Sequence, residues 1–92
     1  MSTFLEKHIV ELLKERNEKA ISLLYDHYGD TLYGVANKVL RNEELAQDVV
    51  QESFGKIWKK ADSYDSTKAK LFTWLFFFTS FKLFTVVIFI FF

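Results

Sequence analysis

Few side chains in this chain could do covalent chemistry, and they are scattered. Asp26 and Asp30 stand four apart, the spacing that sets two carboxylates on one helix face, and such a pair could divide acid and base roles. Nothing around them predicts a pocket, so solvated charges are the simpler reading. His8 and His27 are too far apart to form a local metal pair, and the chain has no Cys to complete a ligand set. The expectation is a protein with no metal, no cofactor and no enzymatic activity.

Two other groups suit binding. Asp48, Gln51, Glu52 and Gly55 recur at threes and fours, which gathers them into one polar patch, although on pattern alone the ordinary reading is a solvated face. Tyr64 lies in a polar stretch flanked by Lys59, Lys60, Lys68 and Lys70, with Trp74 soon after. An aromatic ringed by cations suits unstacked bases and their phosphates. A loop aromatic folded back onto the protein fits the same residues equally well.

Helices must position these groups. Thr3-x-x-Glu6 can form a capping box ahead of Leu5, Ile9, Leu12 and Leu13, which predicts a helix over about residues 4–16. Asn17 is a good second cap, and Ile21, Leu24, Tyr28, Leu32, Val35, Val39 and Leu40 step along one face of a helix over about 18–41. Asn42 caps a third, with Glu43 and Glu44 in its first turn and Lys56, Lys59 and Lys60 near its end, matching the helix dipole at both ends. ADSYDSTKAK (61–70) is polar enough for a loop, and a fourth helix is predicted to begin near Thr67 or Lys68. The fold class is all-α, a small bundle of three to four helices.

Composition divides the chain. Of its 11 Phe, nine fall within the last 22 residues, where Lys82 is the only charge, whereas residues 1–70 carry 11 basic and 12 acidic side chains. With a net charge of zero the chain has no global basic field, so any contact with nucleic acid rests on local patches. The charged N-terminal stretch is unlike a secretory signal, which places the helical body in the cytoplasm.

The order LAQDVVQESFGKIWKK (45–60), then ADSYDSTKAKLFTWLF (61–76), resembles region 2 of bacterial RNA polymerase sigma factors, specifically the small extracytoplasmic-function group. The likeness extends upstream through AISLLYDHYGDTLYGVANKVLRN (20–42) and covers roughly residues 8–76. It implies a region 2-like domain over 1–76 that binds the polymerase core and contributes to recognising and melting the promoter −10 element. Carried over by position, Asp48, Gln51, Glu52 and Gly55 match the surface for the coiled coil of the polymerase's largest subunit. The Tyr64 loop matches the segment that captures a flipped promoter base, and Lys59, Lys60, Lys68, Lys70 and Trp74 complete the implied DNA-binding set. An anti-sigma factor is a further implied partner.

After Trp74-Leu75 the resemblance stops. The family continues with a helix of the form x-I-A-R-N-x-x-x-D-x-x-R, whose polar and basic side chains read the −10 element, but this chain continues FFFTSFKLFTVVIFIFF. Residues 77–92 are therefore expected to be an apolar tail in place of that helix, leaving promoter contact weakened. Ala69 stands where the family usually has Gly. A shifted reading frame through an AT-rich gene would produce such an ending, so the expectation is a truncated or decayed sigma factor. The alternative is a tail-anchored membrane protein with a helical partner-binding head, in which residues 71–92 contact the membrane. The run is long enough to span a bilayer core, while VVIFIFF also has the composition of an aggregating strand.

Overall fold

The computed structural model describes residues 3–91. Four α-helices and one 3-10 turn make up its regular structure: α1 (Phe4–Lys14), α2 (Lys19–Leu40), α3 (Glu43–Lys59), the 3-10 turn Ala61–Ser63, and α4 (Leu71–Phe91). No strand occurs among the described residues.

α1 and α3 begin at the expected caps, whereas the N-cap of α2 is Glu18, which makes no side-chain cap bond, and the expected Asn17 lies one residue earlier. Thr3 Oγ1 accepts the Glu6 N–H at 3.1 Å, Asn17 Oδ1 accepts the Lys19 N–H at 3.0 Å, and Asn42 Oδ1 accepts the Leu45 N–H at 3.1 Å. α1 ends at Lys14, before the predicted residue 16, because the chain turns left-handed at Arg16 (φ 54°). There the Arg16 N–H donates to the Leu13 carbonyl and the Asn17 N–H to the Leu12 carbonyl, which satisfies two terminal carbonyls in the Schellman pattern. Glycine usually fills that left-handed position. Arg16 keeps it because its guanidinium reaches α3, donating to the Trp58 carbonyl at 3.0 Å and lying 4.7 Å over the Trp58 ring.

The fourth helix starts at Leu71, later than the predicted Thr67 or Lys68. Asp65 competes with it locally. Its Oδ1 accepts both the Thr67 N–H (2.9 Å) and the Thr67 hydroxyl (2.6 Å), while its carbonyl accepts the Lys68 N–H at 3.0 Å. These bonds close a turn over residues 65–69 and divert its backbone from helix formation. Lys68 and Lys70 therefore belong to the connection and not to the helix. Ala69 has no positive φ, so its lack of the family's glycine brings no left-handed strain.

α4 packs antiparallel to α3, with Lys82 beside Glu52 and Phe81 beside Lys56. Leu71, Leu75, Thr79 and Leu83, spaced four apart, are its buried residues and form one stripe against the core. That core is built from Ile9, Leu13, Leu24, Leu32, Val49 and Ile57 of the other helices. The compositional boundary at 76/77 falls inside this continuous helix. Fully burying a side chain such as Leu75 is worth about 1.5–3 kcal/mol relative to leaving it in water. α4 is thus held to the bundle well beyond Phe76. Thr79 is buried without penalty because its hydroxyl returns to the Leu75 carbonyl, as that of Ser53 does to Val49.

Candidate functional site

Asp48, Gln51, Glu52 and Gly55 are all exposed on α3, opposite the buried Ala46, Val49, Val50, Ser53 and Ile57. α3 thus brings together the four residues expected to face a polymerase. Gly55 is informative, since an added Cβ there would meet nothing within 4 Å. The fold does not require glycine at that position, where it weakens the helix relative to alanine by roughly 0.8–1 kcal/mol.

Glu52 is not free. The ammonium of Lys82, the one charge in the apolar run, forms an ion pair with its carboxylate. The role of Lys82 is not legible in the sequence, because nothing in the spacing of residues 52 and 82 shows that α3 and α4 run antiparallel. Asp48 makes no ion pair among the described residues.

The lysine and aromatic set divides. Lys59 and Lys60 are exposed at the end of α3, where with Lys56 they border a groove floored by Phe77, Phe78 and Phe81. Lys68 and Lys70 are exposed on the turn before α4. Tyr64 follows the second of its two readings: it is folded back and only 8% exposed. Its hydroxyl donates to the Ala69 carbonyl at 2.8 Å, and its ring packs on Trp74 with centroids 5.0 Å apart. Trp74 is half-buried and also meets Phe78 edge-on at 5.2 Å. α1 borders the same place, for Glu6, Val10 and Lys14 line a pocket with Tyr64 and Leu71.

The electrostatics follow from this packing. Burial raises the Tyr64 phenol above its ordinary value, with the charges of Glu6 and Asp65 acting in the same direction. Tyr28 is raised by burial and by Glu6 and Tyr64. Asp65 is lowered, first by the Thr67 hydroxyl and then by the Thr67 N–H, with Lys68 and Lys14 adding to the effect. His8 and His27 are exposed, and no group of three potential metal ligands occurs among the described residues.

Besides Lys82, the contacts made by Arg16 and Lys56 have no signal in the sequence. Arg16 joins the α1–α2 corner to the end of α3, and its guanidinium also lies 3.9 Å from Asp62. Lys56 places its ammonium 5.4 Å from the Phe81 ring centroid. A lysine in the last turn of a helix is already explained by the dipole, so the sequence carried no second signal.

An all-α bundle presenting a polar patch on α3 and a lysine-bearing connection before α4 defines a class, and comparison with known proteins gives the same one. The pattern of the sigma-70 region 2 family matches residues 24–83, so the chain belongs to that family. Among individual proteins, the chain is 34% identical over 56 residues to the ECF RNA polymerase sigma factor SigK of Mycobacterium ulcerans, covering 61% of this chain and 30% of that protein. The protein of the same name from Mycobacterium bovis is 30% identical over 59 residues, 64% of this chain and 32% of its own length. The chain spans about a third of the length of these curated relatives. No solved structure matches it.

Proposed function

We propose that the chain acts as the region 2 module of an extracytoplasmic-function sigma factor in the cytoplasm, docking on the RNA polymerase core through α3 and contributing to contact with promoter DNA. The observation that carries this is the exposed face Asp48, Gln51, Glu52 and Gly55 in a member of this family. Acceptors and an unencumbered glycine suit a basic partner that approaches the helix backbone closely. The partner assigned to this face is the coiled coil of the largest subunit.

For DNA, the assignment is Lys59, Lys60, Lys68 and Lys70, all exposed, to phosphates. Tyr64 and Trp74 take a supporting role in this proposal, fixing the loop from beneath as a packed pair. Base-edge readout requires positioned polar side chains, and α4 beyond Trp74 offers Thr79, Ser80 and Thr85 turned to their own backbone and Lys82 paired with Glu52. Promoter contact is accordingly proposed to be weak in sequence preference. The division of α4 at residue 76/77 is proposed as a change of surface chemistry within one folded unit.

The test is binding of the full chain to purified polymerase core. Asp48→Lys is the clean variant, because a change at Glu52 also disturbs Lys82. Charge reversal at an interface of this kind weakens binding by about 2 kcal/mol or more, roughly thirtyfold. Unchanged affinity of Asp48→Lys would remove α3 as the docking face.

A second reading has one observation behind it: Leu71–Ile90 is long and apolar enough to cross a membrane, and only 17% of its apolar window is buried. Spanning, however, would withdraw Leu71, Leu75, Thr79 and Leu83 from the core. A tail-anchored state and the folded bundle therefore exclude each other. Resistance of membrane-bound chain to alkaline carbonate would identify the spanning state.

A further inference from the structure

The side of α4 turned away from the core carries Phe77, Phe81, Phe84 and Ile88. Steps of four, three and four residues keep them within one narrow stripe of the helix. All are solvent-exposed, at 62%, 57%, 64% and 41% respectively. An apolar stripe of this kind, continuous over about 16 Å of helix at 1.5 Å per residue, is uncommon on a protein that meets only water. Beside its N-terminal half runs the groove of about 450 Å³ bordered by Lys56, Lys59 and Lys60. These lysines are exposed, and none forms an ion pair among the described residues.

We propose that this stripe and its lysine border form a docking surface for an anionic lipid bilayer, on which the folded domain lies with α4 parallel to the membrane plane. The phenylalanines enter the boundary between headgroups and acyl chains, and the lysines meet the anionic headgroups. The Lys56 ammonium sits 5.4 Å from the Phe81 ring centroid and must swing off that ring to meet a headgroup, which the flexible lysine stem allows.

Charge placement selects this occupant. A nucleic-acid strand carries a phosphate at every base and needs cations along its whole path, whereas the groove lysines gather at the Phe77–Phe81 end of the stripe. Phe84 and Ile88 need an apolar phase and no counter-charge. A second copy is also a poor fit, because symmetric pairing of two stripes brings two uncompensated lysine rows to one interface. Lying on the surface leaves Leu75, Thr79 and Leu83 buried, so the bundle stays folded, unlike the spanning state. Lys56 and Lys59 follow Glu52 and Gly55 by one turn on α3, so this surface borders the polymerase patch, and Lys59 and Lys60 cannot meet headgroups and promoter phosphates at once.

Co-sedimentation of the full chain with vesicles of phosphatidylcholine, with and without phosphatidylglycerol, tests it. Binding is expected to the anionic vesicles, with release at about 0.5 M salt, where the Debye length falls to roughly 4 Å. Each lysine near an anionic surface contributes about fivefold, so the triple change Lys56→Gln, Lys59→Gln, Lys60→Gln is expected to weaken binding about a hundredfold. Phe81→Ser is expected to weaken binding to anionic vesicles with its thermal melt unchanged. The salt titration of the unaltered chain keeps the test decisive should the triple variant fail to fold. Equal binding to neutral vesicles, binding that survives both high salt and carbonate, or preferential capture of single-stranded DNA by the same lysines and phenylalanines would each overturn the proposal.

Discussion

α3 and α4 lie side by side and bury similar stripes, yet they announce themselves in opposite ways. α3 is amphipathic: acids open it, lysines close it, and its apolar positions face inward while Asp48, Gln51 and Glu52 face out. In α4, 16 of 21 positions are apolar and the polar ones do not gather on one side, so its composition does not say which side belongs to the core. Leu71, Leu75, Thr79 and Leu83 are chosen over Phe77, Phe81 and Phe84 by the shape of the surface they meet. A patterned helix encodes its own orientation, whereas a uniformly apolar one takes its orientation from its neighbours.

The strongest test of this contrast is to truncate the two sides of α4 separately. Leu75→Ala removes a fully buried side chain and is expected to destabilise the domain by about 2–4 kcal/mol in urea unfolding. Leu83→Ala is expected to lose about 2 kcal/mol, and Phe84→Ala, which is 64% exposed, less than about 0.5 kcal/mol. Equal, small effects at Leu83 and Phe84 would mean that α4 is not docked beyond Thr79.

Next in size is the contact that ties the α1–α2 corner to α3. Arg16→Ala retains the left-handed strain at φ 54° and loses the charged hydrogen bond to the Trp58 carbonyl, so a loss of about 1–2 kcal/mol is expected. Arg16→Gly loses the same bond but relieves about 1 kcal/mol of strain. Glycine is therefore expected to be the milder change. If alanine and glycine are equivalent in thermal melting, the left-handed turn is not a source of strain.

Gly55 sharpens the comparison from the α3 side. With open space around it, Gly55→Ala is expected to stabilise the domain by about 0.5–1 kcal/mol. The same change is expected to weaken polymerase core binding if the partner approaches the backbone there. Stabilisation with unchanged core affinity would show that this glycine has no part in docking.

The contrast also explains what could be read in advance. Thr3 and Asn42 declared the starts of α1 and α3 because a short polar side chain before an apolar period has few other uses, while Asn17 marked the start of α2 one residue early. That Asp48, Gln51, Glu52 and Gly55 share one exposed face was legible from their spacing, whereas the role proposed for that face came from the family resemblance alone. The start of α4 was not legible, since the turn around Asp65 depends on which of several local hydrogen bonds prevails, and the helix signal of Lys68 and Ala69 yields to it. Tyr64 was open between two readings because exposure is a tertiary property. Its burial follows from Trp74 beneath it and α1 alongside. The pairing of Glu52 with Lys82 required the antiparallel register of two helices and left no trace in either segment alone.

The smallest expected effect concerns that turn. Asp65 is held below the usual carboxylate range, chiefly by the Thr67 hydroxyl and N–H. Because its folded pKa is depressed, its contribution is present above the unfolded carboxylate value and is lost as pH falls through the lower, folded one. Tyr64 acts in the opposite sense at the other extreme. Its raised phenol keeps the hydrogen bond to Ala69 intact below its ordinary value, and that contribution disappears as pH rises through the higher, folded one. The connection before α4 is therefore expected to be ordered across the neutral range and to loosen in acid before the helices do. Hydrogen exchange of the Thr67 and Lys68 amides, followed as pH is lowered, is expected to show protection lost at a midpoint below that of an ordinary aspartate. Thr67→Val removes the hydroxyl but keeps the backbone donor, so the midpoint is expected to move part of the way back. A midpoint unaffected by Thr67→Val would mean that the lysines hold the Asp65 charge, in which case about 0.5 M salt is expected to shift it instead.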